Sequence, residues 1–272
     1  MWVRVAKGIN PDINPGRTFM TRYLKLTAIS LALMGAGFTL NGCETNDTLG
    51  RSQFLLVDDT ALEQSALTAW QEQLKTAKIS KDPTLNKRIQ TVGARIAAAS
   101  GLGATGWEYV LFEDDQPNAF VIPGKKVGIN TGLFKVVKTD DQLAAVIGHE
   151  TAHVLGKHAA ERASQQMAAQ GALQVATGAT KGNVQKAISS YGGLGAQLGI
   201  LLPYSRKHES EADRIGVDLM AKAGYRPSAA VEVWQNMMAQ NSGAPPEFLS
   251  THPSDKTRIK DLQDYIAAKG YK

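Results

Sequence analysis

The sequence predicts an α+β domain, mainly helical, with a small antiparallel sheet beside one helix that carries the chemistry. Three observations predict it. Apolar residues recur at helical spacing on both sides of a central block. That block, residues 107–130, is rich in β-formers and turns at Pro123-Gly124. The run after it opens on a capping sequence, Thr139-Asp140-Asp141-Gln142, and contains His149-Glu150-Thr151-Ala152-His153.

Residues 1–42 read as an N-terminal extension and an address. From Met20 the order is two early positive charges, an apolar stretch from Leu24 to Leu40, and then Leu40-Asn41-Gly42-Cys43, the layout of a secretory signal. Those last four residues resemble a bacterial lipobox, which implies cleavage before Cys43 and a lipid on it. Glu44 follows the cysteine, and by the same resemblance this favours the outer membrane, with the protein facing the periplasm. The competing reading is an uncleaved anchor helix, for which the stretch is a little short. Translation from Met1 and from Met20 both fit.

Charge supports this division. The chain carries 30 basic and 25 acidic residues, a formal charge of +5. Arg4, Lys7, Arg17, Arg22 and Lys25 precede Cys43 against Asp12 alone, which leaves 25 basic and 24 acidic residues in the rest. A balanced folded part does not suit nucleic acid, so no nucleic-acid partner is expected. Cys43 is the single cysteine, so there is no internal disulfide and no cysteine ligand framework. A metal has to be held by His, Asp or Glu.

Residues 43–58 are polar and read as a tether, and residues 59–272 as the folded domain. Asp59 to Lys78 places Leu62, Ala66, Ala69, Trp70 and Leu74 at helical spacing, and Asp82-Pro83 starts a second helix that stops at Gly101. Trp107 to Phe112 reads as a strand, and Ala119–Ile122 faces Lys126–Asn130 across the Pro123-Gly124 turn. Residues 163–200 are dominated by Ala, Gly, Gln and Ser and read as helix plus glycine-rich connection, or as a flap over the site. Further helices follow Tyr204-Ser205, Pro227 and Ser254.

His149 and His153 are four residues apart, so a helix carries them 400° round and stacks them on one face, where both reach one ion. Glu150 projects about 100° away, close enough to touch a metal-bound water without ligating. A catalytic zinc usually takes a third protein ligand and keeps one position for water. His158 is five residues past His153, 140° round, and cannot join the pair while the helix persists. It reads as a bystander that sits at the helix surface or behind a ligand. The best remaining cluster is His208-Glu209-Ser210-Glu211-Ala212-Asp213, in which Glu209 and Asp213 share a face. One of them can bind metal while the other orients a ligand histidine or assists proton transfer. Glu211 points away from that face.

HETAH with Glu209-x-x-Ala-Asp213 downstream resembles the gluzincin zinc metallopeptidases of the HtpX, LoiP and BepA type. The similarity covers about residues 59–265 and includes Asn118-Ala119-Phe120, Val127 to Leu133, Tyr204-Ser205-Arg206 and Thr251-His252-Pro253. The resemblance implies a zincin-like fold and one Zn2+ per chain on His149, His153 and Glu209, with Glu150 as general base. It implies for Asp213 a role in proton handling or behind a ligand. For His252 it implies oxyanion stabilisation, or occupation of the fourth metal position in a resting state. Chain layout is nearest the LoiP-like single-domain lipoproteins.

The function so implied is a zinc endopeptidase acting on unfolded or misfolded envelope polypeptides and attached to the membrane through lipid on Cys43. The strand Val127–Asn130 is expected to offer the edge on which an extended peptide lies. The alternative is a non-proteolytic or latent chaperone or assembly factor for outer-membrane proteins, gated by His252 or by residues 163–200.

Overall fold

Short polar side chains set where several helices begin, by accepting the backbone N–H groups that a first turn leaves free. In the computed structural model, which describes residues 43–176, 204–239, 247–252 and 256–271, Asp58 accepts from Ala61 N and starts α1 (Asp59–Thr76). Asp82 accepts from Thr84 N and Leu85 N at 2.9 Å each, ahead of Pro83 at the first position of α2 (Pro83–Ala99). Thr139 starts α3 (Asp140–Leu155), the helix with HETAH. Gln142 caps one residue further out than a reciprocal box: its Oε1 accepts from Lys138 N at 2.7 Å.

The remaining helices are α4 (His158–Ala176), α5 (Arg206–Lys222, capped by Ser205), α6 (Ala229–Ala239), α7 (Glu247–Thr251) and α8 (Lys256–Ala268). The segment before Cys43 read as a signal sequence, residues 177–200 of the stretch read as a connection or flap, and the Ser254 cap lie outside the described residues. Among the described residues no helix is long and apolar enough to cross a membrane.

Strands β3 (Glu108–Phe112), β4 (Ala119–Ile122) and β5 (Lys126–Asn130) form a sheet of order β3-β5-β4. β4 and β5 are the expected antiparallel hairpin, with Phe120 opposite Gly128. Because that hairpin folds β5 in between, β5 pairs with β3 in parallel, Leu111 opposite Ile129, and the sheet of this α+β domain is mixed. Residues 78–80 close the outer side of β3, through Ser80 N on Leu111 O at 2.8 Å and Glu113 N on Lys78 O at 2.7 Å. β5 is therefore paired on both sides and offers no edge. The open edge of this sheet belongs to β4, which corrects the assignment of the docking strand to Val127–Asn130.

Side chains alternate across the sheet as a pleat requires. Tyr109, Leu111, Ala119, Val121, Val127 and Ile129 face the main core of α2, α3, α5, α6 and α8. Phe112 and Ile122 face the other way, onto Ala66 and Trp70 of α1. Trp70 meets Phe112 edge-on at 5.9 Å, and a buried ring of this kind contributes about 0.5–1.5 kcal/mol beyond its area. α3 is buried along its whole length from Gln142 to His153 and packs most extensively on α5. A helix enclosed on all sides can carry ionisable groups only if they are paired, and the pairs on α3 make the site.

Residues 43–58, read as a tether, instead begin with two paired strands, β1 (Cys43–Asn46) and β2 (Arg51–Phe54). Asn46 Nδ2 donates to Leu155 O at 3.0 Å and Gln53 Nε2 donates to Gly156 O at 2.6 Å. The hairpin thus satisfies carbonyls that the C-terminus of α3 leaves free. No apolar periodicity announces it, because the attachment is polar.

Candidate metal centre

α3 ends where Gly156 caps it and Lys157 takes a left-handed backbone, φ 48°. A lysine there costs energy that a glycine would not. Lys157 is held in place by Glu44 and Asp59, each at 3.0 Å from its Nζ. The break redirects the chain, so the helical extrapolation that placed His158 away from the pair does not apply. His158 is fully buried, and its Nδ1 lies 2.9 Å from Nδ1 of His153. It touches the back of that ring rather than joining the donor group, so it is not a bystander.

His149, His153, Glu209 and His252 bring one ligand atom each to within 4.8 Å of one another, all four residues buried. α3 supplies two, α5 supplies Glu209, and the end of α7 supplies His252. The nitrogens His149 Nε2 and His153 Nε2 are 3.1 Å apart, and Glu209 presents one oxygen to each at 3.4 Å. His252 Nδ1 stands 3.1 Å from Glu209 Oε1 and 3.3 Å from His149 Nε2. Two chain separations of more than forty residues are closed here by helix packing alone.

The partners of the other ring nitrogens fix the tautomers. Asp213 Oδ1 accepts from His149 Nδ1 at 3.0 Å, which leaves the Nε2 lone pair facing the cluster. Asp213 thus sits behind His149, and Arg258 of α8 holds it through Nε at 2.5 Å and Nη2 at 2.9 Å. Arg258 Nη1 also meets Glu209 Oε2 at 2.7 Å, and its guanidinium lies 4.0 Å over the ring of Trp234.

Electrostatics follow from this crowding. Burial opposes a charged ring at His149, but Glu209 and Asp213 outweigh it and hold its pKa up at about 9. The pocket, in other words, attracts positive charge. Burial pushes the pKa of His153 well down, so that ring is neutral. Burial would also raise Glu209, yet His252, Arg258 and His149 prevail and keep it ionised, well below the usual carboxylate range. Glu150 is the exception: burial raises its pKa against the opposing pull of His252, His149 and a backbone hydrogen bond from Val121. Its Oε1 lies 3.5 Å from His252 Nε2.

Two imidazoles that turn their Nε2 atoms onto an ionised carboxylate are a donor set for a divalent cation, which would displace the proton that His149 holds, with a second carboxylate poised beside it. The structure brings together His149, Glu150, His153, Glu209, Asp213 and His252, every residue singled out from the sequence. Sequence reasoning missed Arg258, marked Tyr204 only through the resemblance, and left His158 open between the helix surface and a place behind a ligand. Tyr204 stacks on His153 at 3.9 Å, which its place at the start of α5 could have suggested. Arg258 had no signal: it sits among Lys256, Lys260 and Asp261, and reads as one more charge on a solvated face.

Comparisons with known proteins agree with this geometry. The model of Peptidase family M48 matches residues 83–266. The chain is 37% identical over 182 residues to the mitochondrial metalloendopeptidase OMA1 of Schizosaccharomyces pombe, covering 65% of this chain and 52% of that protein. It is 34% identical over 188 residues to OMA1 of Arabidopsis thaliana, covering 69% and 37%. To the β-barrel assembly-enhancing protease of Escherichia coli it is 29% identical over 198 residues, covering 70% and 40%. The matched part spans about half or less of each of these relatives.

Proposed function

The chain belongs to peptidase family M48, and on that premise we propose that it is a zinc-dependent endopeptidase of the bacterial cell envelope. In this reading it is lipid-anchored through Cys43 at the outer membrane, faces the periplasm, and hydrolyses unfolded or misassembled envelope polypeptides. The observation that carries the reading is the buried His149-His153-Glu209 group with Glu150 against it. The relatives' names, protease and metalloendopeptidase, support the reaction class, and the one named for β-barrel assembly supports the setting.

The donor spacings suit zinc. Ligands at about 2.0–2.1 Å in a tetrahedron lie about 3.3 Å from one another. The separations among His149, His153, Glu209 and His252 run from 3.1 to 3.4 Å for five of the pairs, Glu209 presenting Oε2 to His149 and Oε1 to His153 and His252. When bound, zinc supplies Lewis acidity at the scissile carbonyl and a more acidic water.

The chain's own residues do the rest. Glu150, raised in pKa by burial, takes the proton of the attacking water and passes it to the departing amine. Asp213 orients His149. An extended peptide adds to the open edge of β4 by main-chain hydrogen bonds. Val121 of that strand, with Ile122, Tyr204 and His153, lines a groove that leads to the site.

The test is cleavage of an unfolded protein by Glu150→Gln. We expect zinc retained and the rate down by about 10²-fold or more; an undiminished rate would sink the mechanism. Glu209→Gln is expected to lose zinc. A second reading, a latent protein that holds client chains, draws on His252, whose Nδ1 stands beside Glu209 and His149 where the fourth ligand would be. Comparing client binding with cleavage in wild type and Glu150→Gln separates the two.

A further inference from the structure

Behind His153 lies a buried polar chain that the reaction does not use. His158 bridges His153 and Glu211: its Nδ1 is 2.9 Å from His153 Nδ1 and its Nε2 3.2 Å from Glu211 Oε2. Glu211 in turn is gripped by Arg51 of β2, Nε on Oε1 at 2.6 Å and Nη2 on Oε2 at 2.7 Å. The same guanidinium holds Glu161 with Nη1 and Nη2, both at 2.8 Å. Glu161 accepts from Gln53 Nε2 at 2.7 Å and faces His208 Nε2 at 3.2 Å, and the His208 ring stacks on His158 at 4.6 Å.

The direction of these hydrogen bonds is dictated from the far end. A carboxylate gripped by an arginine fork is held as an acceptor, so His158 Nε2 carries the hydrogen. His158 Nδ1 is then bare and accepts from His153. His153 Nδ1 therefore carries its hydrogen, and its Nε2 lone pair is left for the donor group. Asp213 does the corresponding work for His149, but from α5, inside the core.

We propose that Arg51 of the N-terminal hairpin, acting through Glu211 and His158, is a positioning residue for the metal ligand His153. The inference rests on the proposed ligand set and extends it. It assigns the segment immediately after Cys43 a part in the metal centre, although Arg51 lies before the residues that match the family model. The two ligand histidines are thereby oriented by separate parts of the chain, one by the core and one by the hairpin that also caps α3.

The experiment uses the purified full chain and reads Zn2+ affinity by chelator competition and the visible absorption of the Co2+-loaded protein, with circular dichroism to establish folding. Losing an outer partner of a ligating histidine weakens metal binding about 10–100-fold, and that loss is expected for His158→Phe and for Arg51→Met. Both should shift the Co2+ bands. Because the two act in series, the double variant should bind within about twofold of His158→Phe alone. The proposal is overturned if either single variant binds Zn2+ like wild type with an unchanged Co2+ spectrum, or if the two losses multiply. Should Arg51→Met not fold, Arg51→Lys, which keeps the charge without the fork, takes its place in the same cycle. Full Zn2+ affinity in Glu209→Gln would instead refute the ligand set itself, whatever the hairpin variants do.

Discussion

Every histidine of the chain belongs to one contiguous group: His149, His153 and His252 at the donor cluster, His158 on His153, and His208 on His158. The consequences at the level of single residues are protonic. Glu211 accepts from Arg51 and His158, and despite partial burial its pKa is held down at about 2. Burial pushes His208 down to about 4. The signs agree. Between its ordinary value of 6.5 and about 4, His208 binds a proton more readily unfolded than folded, so stability falls as pH drops through that window. Glu211 contributes stability that is complete above its ordinary 4.5 and is lost as pH falls toward about 2. The melting temperature of the metal-free protein should therefore decline steadily below about pH 6.5. In Glu211→Gln the decline should be shallower in the lower window; an identical slope would count against the assignment.

Between elements, the decisive contact is the crossing of α3 and α5. A Cβ on Gly216 would lie 2.9 Å from His149 N and 3.1 Å from Gly148 C, and one on Gly148 would lie 3.0 Å from Gly216 O. Those neighbours are backbone and cannot turn aside. Gly216 falls on the same face of α5 as Glu209 and Asp213, at helical offsets of seven and three, so the crossing point and the ligands share a stripe. Gly216→Ala should separate the helices, destabilise the fold by about 1–3 kcal/mol, and weaken zinc binding, because His149 and Glu209 sit on opposite sides of that seam. Chemical denaturation alongside metal titration measures both. Normal stability and affinity would show that the seam has slack.

For the molecule as a whole, ionised Glu209 and Asp213 are enclosed with Arg258 as their built-in cation. A divalent ion that binds the folded state alone adds stability by mass action, about 4 kcal/mol when its concentration is a thousand times the Kd. Stripping metal with a chelator should lower the melting temperature, and added Zn2+ should restore it; a melting temperature indifferent to both would argue against a bound ion in the core. The same enclosure explains what was legible beforehand. Helix positions, the β4–β5 hairpin, and the faces that carry His149, His153, Glu209 and Asp213 are local and periodic, so the one-dimensional pattern contains them. The docking edge, the inward turn of His158 after Lys157, the Arg258 pairing and the grip of Arg51 on Glu211 were not legible. Each depends on which distant segments meet, and a polar side chain on an exposed-looking face carries no mark of the partner that will bury it. Sequence by itself determined the candidate donors and the helices that bear them. Only the tertiary structure decided how those donors are oriented, because ring orientation is set by hydrogen bonds that link segments more than a hundred residues apart.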